Sequence, residues 1–213
     1  MNDEKEIKGN EKIYFDLLQQ LSRENLEKRA TAKDLPIQPY GKILVESFAR
    51  SYLVYHKGVT AVDSGSVSFQ EKLAVVSYLL SDGVGYPAFD FVPFGHLGDF
   101  NIGRDQHYSK SLKQKILKKF SENYKLFAKA ALKIGGIQKE KGTPGEHVWL
   151  FYAFPKLPIL LTFYERDEEF PADVHVLFDS KALDFLRLKC LGFLPGYFSD
   201  TLLGATSEIE SYR

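Results

Sequence analysis

The chain has 213 residues, of which 44% are hydrophobic and 14% aromatic, a content that suits a folded domain and argues against intrinsic disorder. Its 28 basic and 28 acidic residues give a formal net charge of zero, so no global field favours nucleic acid or a membrane surface as a partner. The single cysteine excludes an internal disulfide and a cluster held by four thiolates of this chain.

The ends and the hydropathy of the chain predict one cytoplasmic domain over residues 1–213. The polar segment 1–9 is unlike a signal peptide and is predicted to be a disordered tail. No apolar run approaches the ~20 residues of a membrane span. We therefore expect neither a membrane nor a nucleic acid as partner, which leaves a small ligand or another protein, in an undetermined oligomeric state.

The first third of the chain predicts two helices with two strands between them. An apolar stripe at helical spacing predicts a helix from about Asn10 into the Arg29 region. The segments 42–48 and 51–56 are typical of strands. Ser68, followed three residues later by Glu71, predicts a capping box that opens the second helix.

The segment from Gly83 to Arg104 is rich in glycine and aromatic residues and has no steady periodicity. We predict a long loop with at most a short strand at 88–92. Long ordered loops in compact domains are often functional, so Tyr86, Phe89 and Phe91 are candidate ligand-binding residues. The alternative is that the loop aromatics pack down as a lid on the core.

The longest predicted helix follows Ser109 and ends at Gly135-Gly136, with apolar residues at steps of three or four. One side of it is rich in lysine. Such a surface could meet an acidic partner, but the neutral overall charge favours a solvated face whose lysine stems cover apolar edges.

Residues 147–179 predict a three-stranded antiparallel meander. Strands at 147–153, 159–164 and 173–178 have the required alternation, with Pro155 and Pro158 in the first turn. Trp149 and Phe151 share one face of the first strand, which is predicted to be central. The fold class is therefore α+β, with an antiparallel sheet and helices packed mainly on one face.

The acidic turn of the meander holds four further candidate ligand-binding residues: Glu165, Asp167, Glu168 and Glu169. Closely spaced carboxylates can bind a hard cation or divide acid–base roles. The alternative is a solvated, charge-rich turn that protects a sheet edge. In either case we expect Phe170 to anchor the turn on the core.

His96, Asp99 and His107 lie in or near the long loop and could meet as two imidazoles and a carboxylate, a set suited to zinc or iron. The spacing matches no tight ligand motif, so no metal site is assigned and no cofactor is identified. His96 and Asp99 stay candidate ligand-binding residues. Phosphate-loop, dinucleotide and nucleophile-elbow motifs are absent from the sequence.

Several of these segments together resemble a known family. The segments Lys72–Leu80, Lys156–Leu161, Glu165–Pro171 and Val176–Asp179, with the aromatic loop between the first two, are similar to the uncharacterised bacterial and archaeal domain-of-unknown-function family numbered 3786. The resemblance runs from about Leu21 to Leu203. It implies a setting in anaerobes, where relatives occur joined to iron–sulfur domains or near corrinoid one-carbon enzymes, and it implies no established activity.

Two functional hypotheses follow, and the residues identify no catalytic group for either. The first is a non-catalytic accessory module of anaerobic, corrinoid-associated metabolism that binds a ligand or partner through the long loop and the acidic turn. The alternative is a metal-assisted enzyme that uses the loop histidines and carboxylates.

Overall fold

The structure is a computed structural model, and it describes residues 3–97, 102–139 and 143–211. The chain opens with two helices, α1 (Asp3–Arg23) and α2 (Leu26–Ala32). One helix was predicted here; the chain divides it at Asn25, whose side chain accepts a hydrogen bond from the N–H of Lys28 at 2.9 Å and so caps α2. Helix α1 begins within the segment 1–9 that was predicted to be a disordered tail.

A four-stranded antiparallel sheet follows, in the order β1-β2-β3-β4. Its strands are β1 (Ile37–Gln38), β2 (Lys42–Ser47), β3 (Arg50–Tyr55) and β4 (Gly58–Ala61). The two predicted strands are β2 and β3, and their separation from the later strands into a second sheet was not predicted. Helix α3 (Phe69–Leu80) comes next and confirms the capping box, with reciprocal bonds between Ser68 and Glu71.

Between residues 83 and 97, the described part of the aromatic loop before Ile102, the chain forms the two-residue strand β5 (Phe91–Val92) and a short 3₁₀ turn at Phe94–His96. The long helix predicted after it is two helices, α4 (Ile102–Phe120) and α5 (Tyr124–Lys133). Asn123 caps α5 by accepting a hydrogen bond from the N–H of Leu126 at 3.0 Å. As at Asn25, an asparagine N-cap restarts the helix in a new direction.

The second sheet is five-stranded and antiparallel, in the order β5-β9-β8-β7-β6. Its other strands are β6 (Ile137–Gln138), β7 (Glu146–Phe154), β8 (Leu157–Tyr164) and β9 (Asp173–Asp179). The predicted meander is confirmed as β7-β8-β9. Pro158 lies inside β8 rather than in the turn, opposite Tyr152, where a β-bulge shifts the register.

Three helices complete the chain: α6 (Ala182–Phe185), α7 (Leu188–Leu191) and α8 (Leu194–Ser211). The buried apolar side chains of both sheets and of the helices form one contiguous cluster, which establishes an α+β fold around a shared core. None of the described helices has the length and hydropathy needed to cross a membrane.

Candidate functional site

The predicted binding loop lies on the surface, and its aromatic side chains divide into two groups. Phe94 is buried and its ring meets that of Phe178 edge to face, with centroids 5.5 Å apart. Tyr86 and Phe89 are instead 72% and 52% exposed, and Phe91 is half-buried. The lid interpretation therefore holds for Phe94, whereas Tyr86 and Phe89 present their rings to solvent.

A buried carboxylate holds this loop in place. Asp179, at the end of β9, accepts hydrogen bonds from the N–H groups of Ala88 at 3.1 Å and Phe89 at 2.6 Å. Phe89 has a φ of 55°, a left-handed conformation that a bulky residue rarely adopts. The Asp179 carboxylate stabilises that conformation and so fixes the backbone of the loop at Ala88 and Phe89.

The four candidate carboxylates of the acidic turn do not converge. Glu165 faces β7, where its carboxylate accepts a hydrogen bond from Nε2 of the buried His147 at 2.6 Å. Asp167 accepts hydrogen bonds from the N–H groups of Glu169 at 2.9 Å and Phe170 at 2.7 Å. Glu168 and Glu169 are exposed. The turn is therefore closed by Asp167, and the other carboxylates point to different surroundings.

The prediction that Phe170 anchors the acidic turn is wrong, because its side chain is 65% exposed. We expect Asp167→Ala to lower the free energy of unfolding by about 1 kcal/mol, since two backbone N–H groups lose their acceptor. Phe170→Ala should change it by less than about 0.5 kcal/mol. Paired urea melts check both values, with Glu168→Gln as the matched exposed control. A larger loss for Phe170→Ala than for Asp167→Ala would contradict this account of the turn.

The possible metal ligands are likewise not brought together within the described part of the chain. His96 is exposed at the end of the 3₁₀ turn, while Asp99 and the side chain of His107 lie outside the described residues. Among the residues that are described, no group of three or more His, Cys, Asp or Glu side chains is placed to hold a metal ion. The described carboxylates and imidazoles thus provide no metal centre.

A different part of the molecule contains a cavity of about 890 Å³ lined by both polar and apolar groups, which we call the hairpin cleft. Its walls are the β2–β3 hairpin, the segment 62–71 that leads into α3, the end of α5 and the middle of α8. These elements are far apart in sequence. The described residues that line the cleft include none of the predicted site residues.

The tight turn between β2 and β3 shapes one wall of the hairpin cleft. Phe48 and Ala49 have φ values of 48° and 61°, as a two-residue hairpin turn of the primed type requires, although neither is glycine. This conformation costs on the order of 1–3 kcal/mol per residue. Burial of the Phe48 ring against Tyr197 and Phe198, each with centroids 5.2 Å away, offsets that cost.

The hairpin places Ser47 opposite Arg50, and Tyr52 follows on the same face of β3. Arg50 donates two hydrogen bonds to Asp63, at 3.0 and 3.1 Å, and one to Glu71 at 2.6 Å. Its guanidinium also lies over the Tyr52 ring, 5.5 Å from the centroid. All three nitrogens of Arg50 are therefore engaged, since Nη2 also donates to the carbonyl of Ser66 at 3.0 Å.

A chain of buried hydroxyl groups runs across the floor of the cleft. Tyr52 donates to Oε1 of Glu71 at 2.6 Å. Because that proton is committed, the 3.3 Å contact between the two phenols requires Tyr197 to donate to Tyr52. Ser47 then donates to Tyr197 at 2.9 Å. The protons all point towards the carboxylate, and the three hydroxyl groups are each less than 5% exposed.

The same network moves the pKa values of its members away from neutrality. Burial raises the pKa of Tyr52, and Tyr197 and Glu71 add to that effect. Burial likewise raises the pKa of Tyr197. Burial alone would raise the pKa of Glu71, but hydrogen bonds from Tyr52, Ser68 and Arg50 outweigh it and hold that pKa below its ordinary value. At neutral pH the phenols are protonated and the carboxylate is ionised.

Sequence reasoning missed the hairpin cleft, although it identified one of its residues. Glu71 was recognised only as the capping-box partner of Ser68, and its second oxygen is the one that binds Tyr52 and Arg50. An arginine in an otherwise apolar strand was the available signal. Nothing local indicated that Tyr197, about 145 residues away, would complete the network.

Comparison with known proteins gives a family and nothing more specific. The model of the family described as "Domain of unknown function (DUF3786)" matches residues 25–201. No curated protein and no solved structure matches the chain.

Proposed function

Because this chain belongs to the DUF3786 family, whose description assigns no activity, we propose from its own geometry that it is a non-catalytic accessory module. Its role is to bind a small, uncharged polar ligand in the hairpin cleft. The observation that carries the proposal is the buried Ser47–Tyr197–Tyr52–Glu71 chain on the floor of an 890 Å³ cavity. A concave site with a few ordered polar groups is the usual form of a small-molecule site.

The titration behaviour of the cleft supports binding rather than acid–base catalysis. A general acid or base works best with a pKa near the operating pH. Here burial moves the pKa values of Tyr52 and Tyr197 upward, and the hydrogen bonds of Glu71 move its pKa downward. These groups keep fixed protonation states at neutral pH, and proton transfer from any of them is disfavoured.

The charge pattern of the walls supports an uncharged ligand. Arg50 is paired with Asp63 and Glu71, and Asp200 is paired with Lys115 at 2.8 Å. A charged ligand would have to displace one of these partners and leave it unpaired, at a cost. The side chains of Ser51 and Gln70 also line the cleft and suit hydrogen bonds to hydroxyl or amide groups.

The setting of this role is part of the same proposal. The balanced charge of the chain supports a partner other than nucleic acid, and we place the module in the cytoplasm. The family resemblance supports an anaerobic host, in which corrinoid-associated one-carbon metabolism is the proposed context. The metal-assisted alternative receives no support from the described residues, because they bring no ligand set together.

Gly204 offers a sharp test, because it is an exposed glycine inside α8 that lines the cleft and has open space where a Cβ would be. We expect Gly204→Trp to fill the cleft and abolish ligand binding. The matched control Gly204→Ala should keep binding and raise the free energy of unfolding by about 0.5–1 kcal/mol, since glycine is a poor helix former.

Binding is measured as the rise in melting temperature with glucose, adenosine, riboflavin or cobalamin as probes, together with mass spectrometry of any small molecule that co-purifies. A ligand at a hundred times its Kd stabilises by about 2.7 kcal/mol, which is readily seen. Stabilisation of wild type and Gly204→Ala but not Gly204→Trp supports the proposal. The proposal is contradicted if a probe raises the melting temperature of all three proteins equally. It is also contradicted if no probe stabilises the wild type and no small molecule co-purifies with it. A stoichiometric metal found by elemental analysis would instead favour the enzyme alternative.

A further inference from the structure

Lys33 is a buried lysine without a carboxylate partner among the described residues. It follows the last turn of α2 and is 2% exposed, and its Nζ donates one hydrogen bond, to the carbonyl oxygen of Gly83 at 2.9 Å. An ammonium group has three protons to donate, and lysines this buried are usually paired with an acid. The neighbouring buried lysine, Lys156, follows that rule and pairs with Asp34 at 2.7 Å.

The surroundings of Lys33 favour its neutral amine. The contact of its Nζ with the Tyr78 ring, 5.7 Å from the centroid, favours the ammonium form, and burial outweighs that contact. The pKa of Lys33 is lowered to about 8, mainly by burial and also by the positive charges of Arg29 and Lys156, while the charge of Asp82 acts in the opposite direction. A desolvated lysine next to other cations is the arrangement that makes an amine nucleophilic near neutral pH.

A cavity of about 280 Å³ lies between the end of α2 and the start of the aromatic loop, and Lys33 is one of the residues that line it. It is separate from the hairpin cleft, and it is lined by Glu24, Arg29, Lys33, Asp82 and Gly83 among others. Its volume is at the lower end of ligand sites, which limits the occupant to a small molecule.

The wall of this cavity argues against an anion. Arg29 is already bound to Glu24 at 3.0 Å and to Asp82 at 2.6 Å. An anionic ligand would therefore meet two carboxylates and a guanidinium that is already neutralised. A small uncharged molecule avoids that repulsion, and the group on it that a neutral amine captures is a carbonyl.

We propose that Lys33 is the reactive amine of a second site, which takes up a small uncharged aldehyde or ketone as an imine. The amine nitrogen attacks the carbonyl carbon, the C=O π bond breaks, and a proton passes from nitrogen to oxygen to give a carbinolamine. A proton from solvent then converts the hydroxyl group into a leaving water molecule, and the nitrogen lone pair forms the C=N bond of a protonated imine, with no change of oxidation state. The protonated imine keeps one N–H, which continues to donate to the carbonyl of Gly83.

The test is reductive trapping on the wild-type protein. Propionaldehyde and cyanoborohydride are added at pH 7, and the alkylated lysines are identified by peptide mass spectrometry. Lys28 is the internal control, because it is exposed and lines the same cavity. With an ordinary lysine pKa of about 10.4, a surface amine has on the order of a hundredfold less neutral form than Lys33 at this pH. We expect Lys33 to be alkylated at least about tenfold faster than Lys28.

Two further arms complete the test. The rate at Lys33 should rise with pH and level off above about pH 8. Glyoxylate, an anionic aldehyde, should label Lys33 more slowly than propionaldehyde does. The Lys33→Met variant should lose this labelled peptide and no other. The proposal is overturned if Lys33 is labelled no faster than Lys28. It is also overturned if glyoxylate labels Lys33 faster than propionaldehyde does. Both rates are measured on the wild-type protein.

Discussion

Truncation of Trp149 or Phe151 to alanine should lower the free energy of unfolding by about 3–5 kcal/mol each. Both side chains lie on the inner face of β7 and are 1% and 0% exposed. Trp149 meets the Phe127 ring edge to face at 6.0 Å, and Phe151 meets Phe198 at 4.9 Å. Each truncation removes a large apolar surface and leaves a cavity among rings on both a helix and the sheet.

The measurement is equilibrium urea unfolding of each variant beside Val148→Ala. Val148 belongs to the same strand but to its opposite face and is only half-buried, so its truncation should cost about 1 kcal/mol or less. If Trp149→Ala and Phe151→Ala leave the urea midpoint unchanged, the inner face of β7 is not part of the core and the packing described here is wrong.

Loss of the Glu71 carboxylate should have the second largest effect. We expect Glu71→Ala to lower the free energy of unfolding by about 2–4 kcal/mol, because the guanidinium of Arg50 and the buried hydroxyl of Tyr52 each lose an acceptor. The partly exposed position of Arg50, with 28% of its side chain accessible, moderates the loss. Glu71→Gln keeps an acceptor oxygen and should lose about 1–2 kcal/mol.

The pH dependence of this loss separates the charge of Glu71 from its shape. The pKa of Glu71 in the folded protein lies below its ordinary value of 4.5. Its ionised form therefore stabilises the fold above that ordinary value, and the contribution is lost as the pH falls through the lower, folded-state pKa. The stability difference between wild type and Glu71→Gln should be full at pH 7 and shrink below about pH 4.5. Urea melts at pH 7, 5 and 3.5 measure it, and a difference that stays constant over this range would contradict the assigned role.

Short-range signals in the sequence were sufficient for several elements. Ser68 and Glu71 form the predicted capping box because the reciprocal bonds need only four consecutive residues. Gly135 and Gly136 end α5 as expected. Gly135 has a φ of 78°, and a Cβ on Gly136 would lie 2.6 Å from a ring carbon of Phe151. The meander was predictable for a similar reason, since its three apolar, β-prone strands follow each other along the chain and are separated by short turn segments.

The helices predicted too long show where a periodic pattern is insufficient. The apolar spacing continues through Asn25 and through Asn123, because the helices on either side pack against the same core. The two asparagine side chains cap new helices there, and only their bonds reveal the change of direction. A search for internal N-caps would have found both boundaries. Phe170 is the reverse case. This large apolar residue was expected to be buried, but it is exposed, and the carboxylate of Asp167 closes the turn by accepting a hydrogen bond from the N–H of Phe170.

The amino-acid sequence by itself determined the α+β class, the meander, the α3 capping box and the family, because each depends on residues that are close in the chain or on their order along it. Only the tertiary structure decided that the strands form two sheets and that the hairpin cleft exists. Ser47, Glu71 and Tyr197 meet because α8 packs across the β2–β3 hairpin, and Lys33 is buried because the loop at Gly83 covers it. Such contacts depend on how elements pack, and a change of packing would alter them without altering any local pattern.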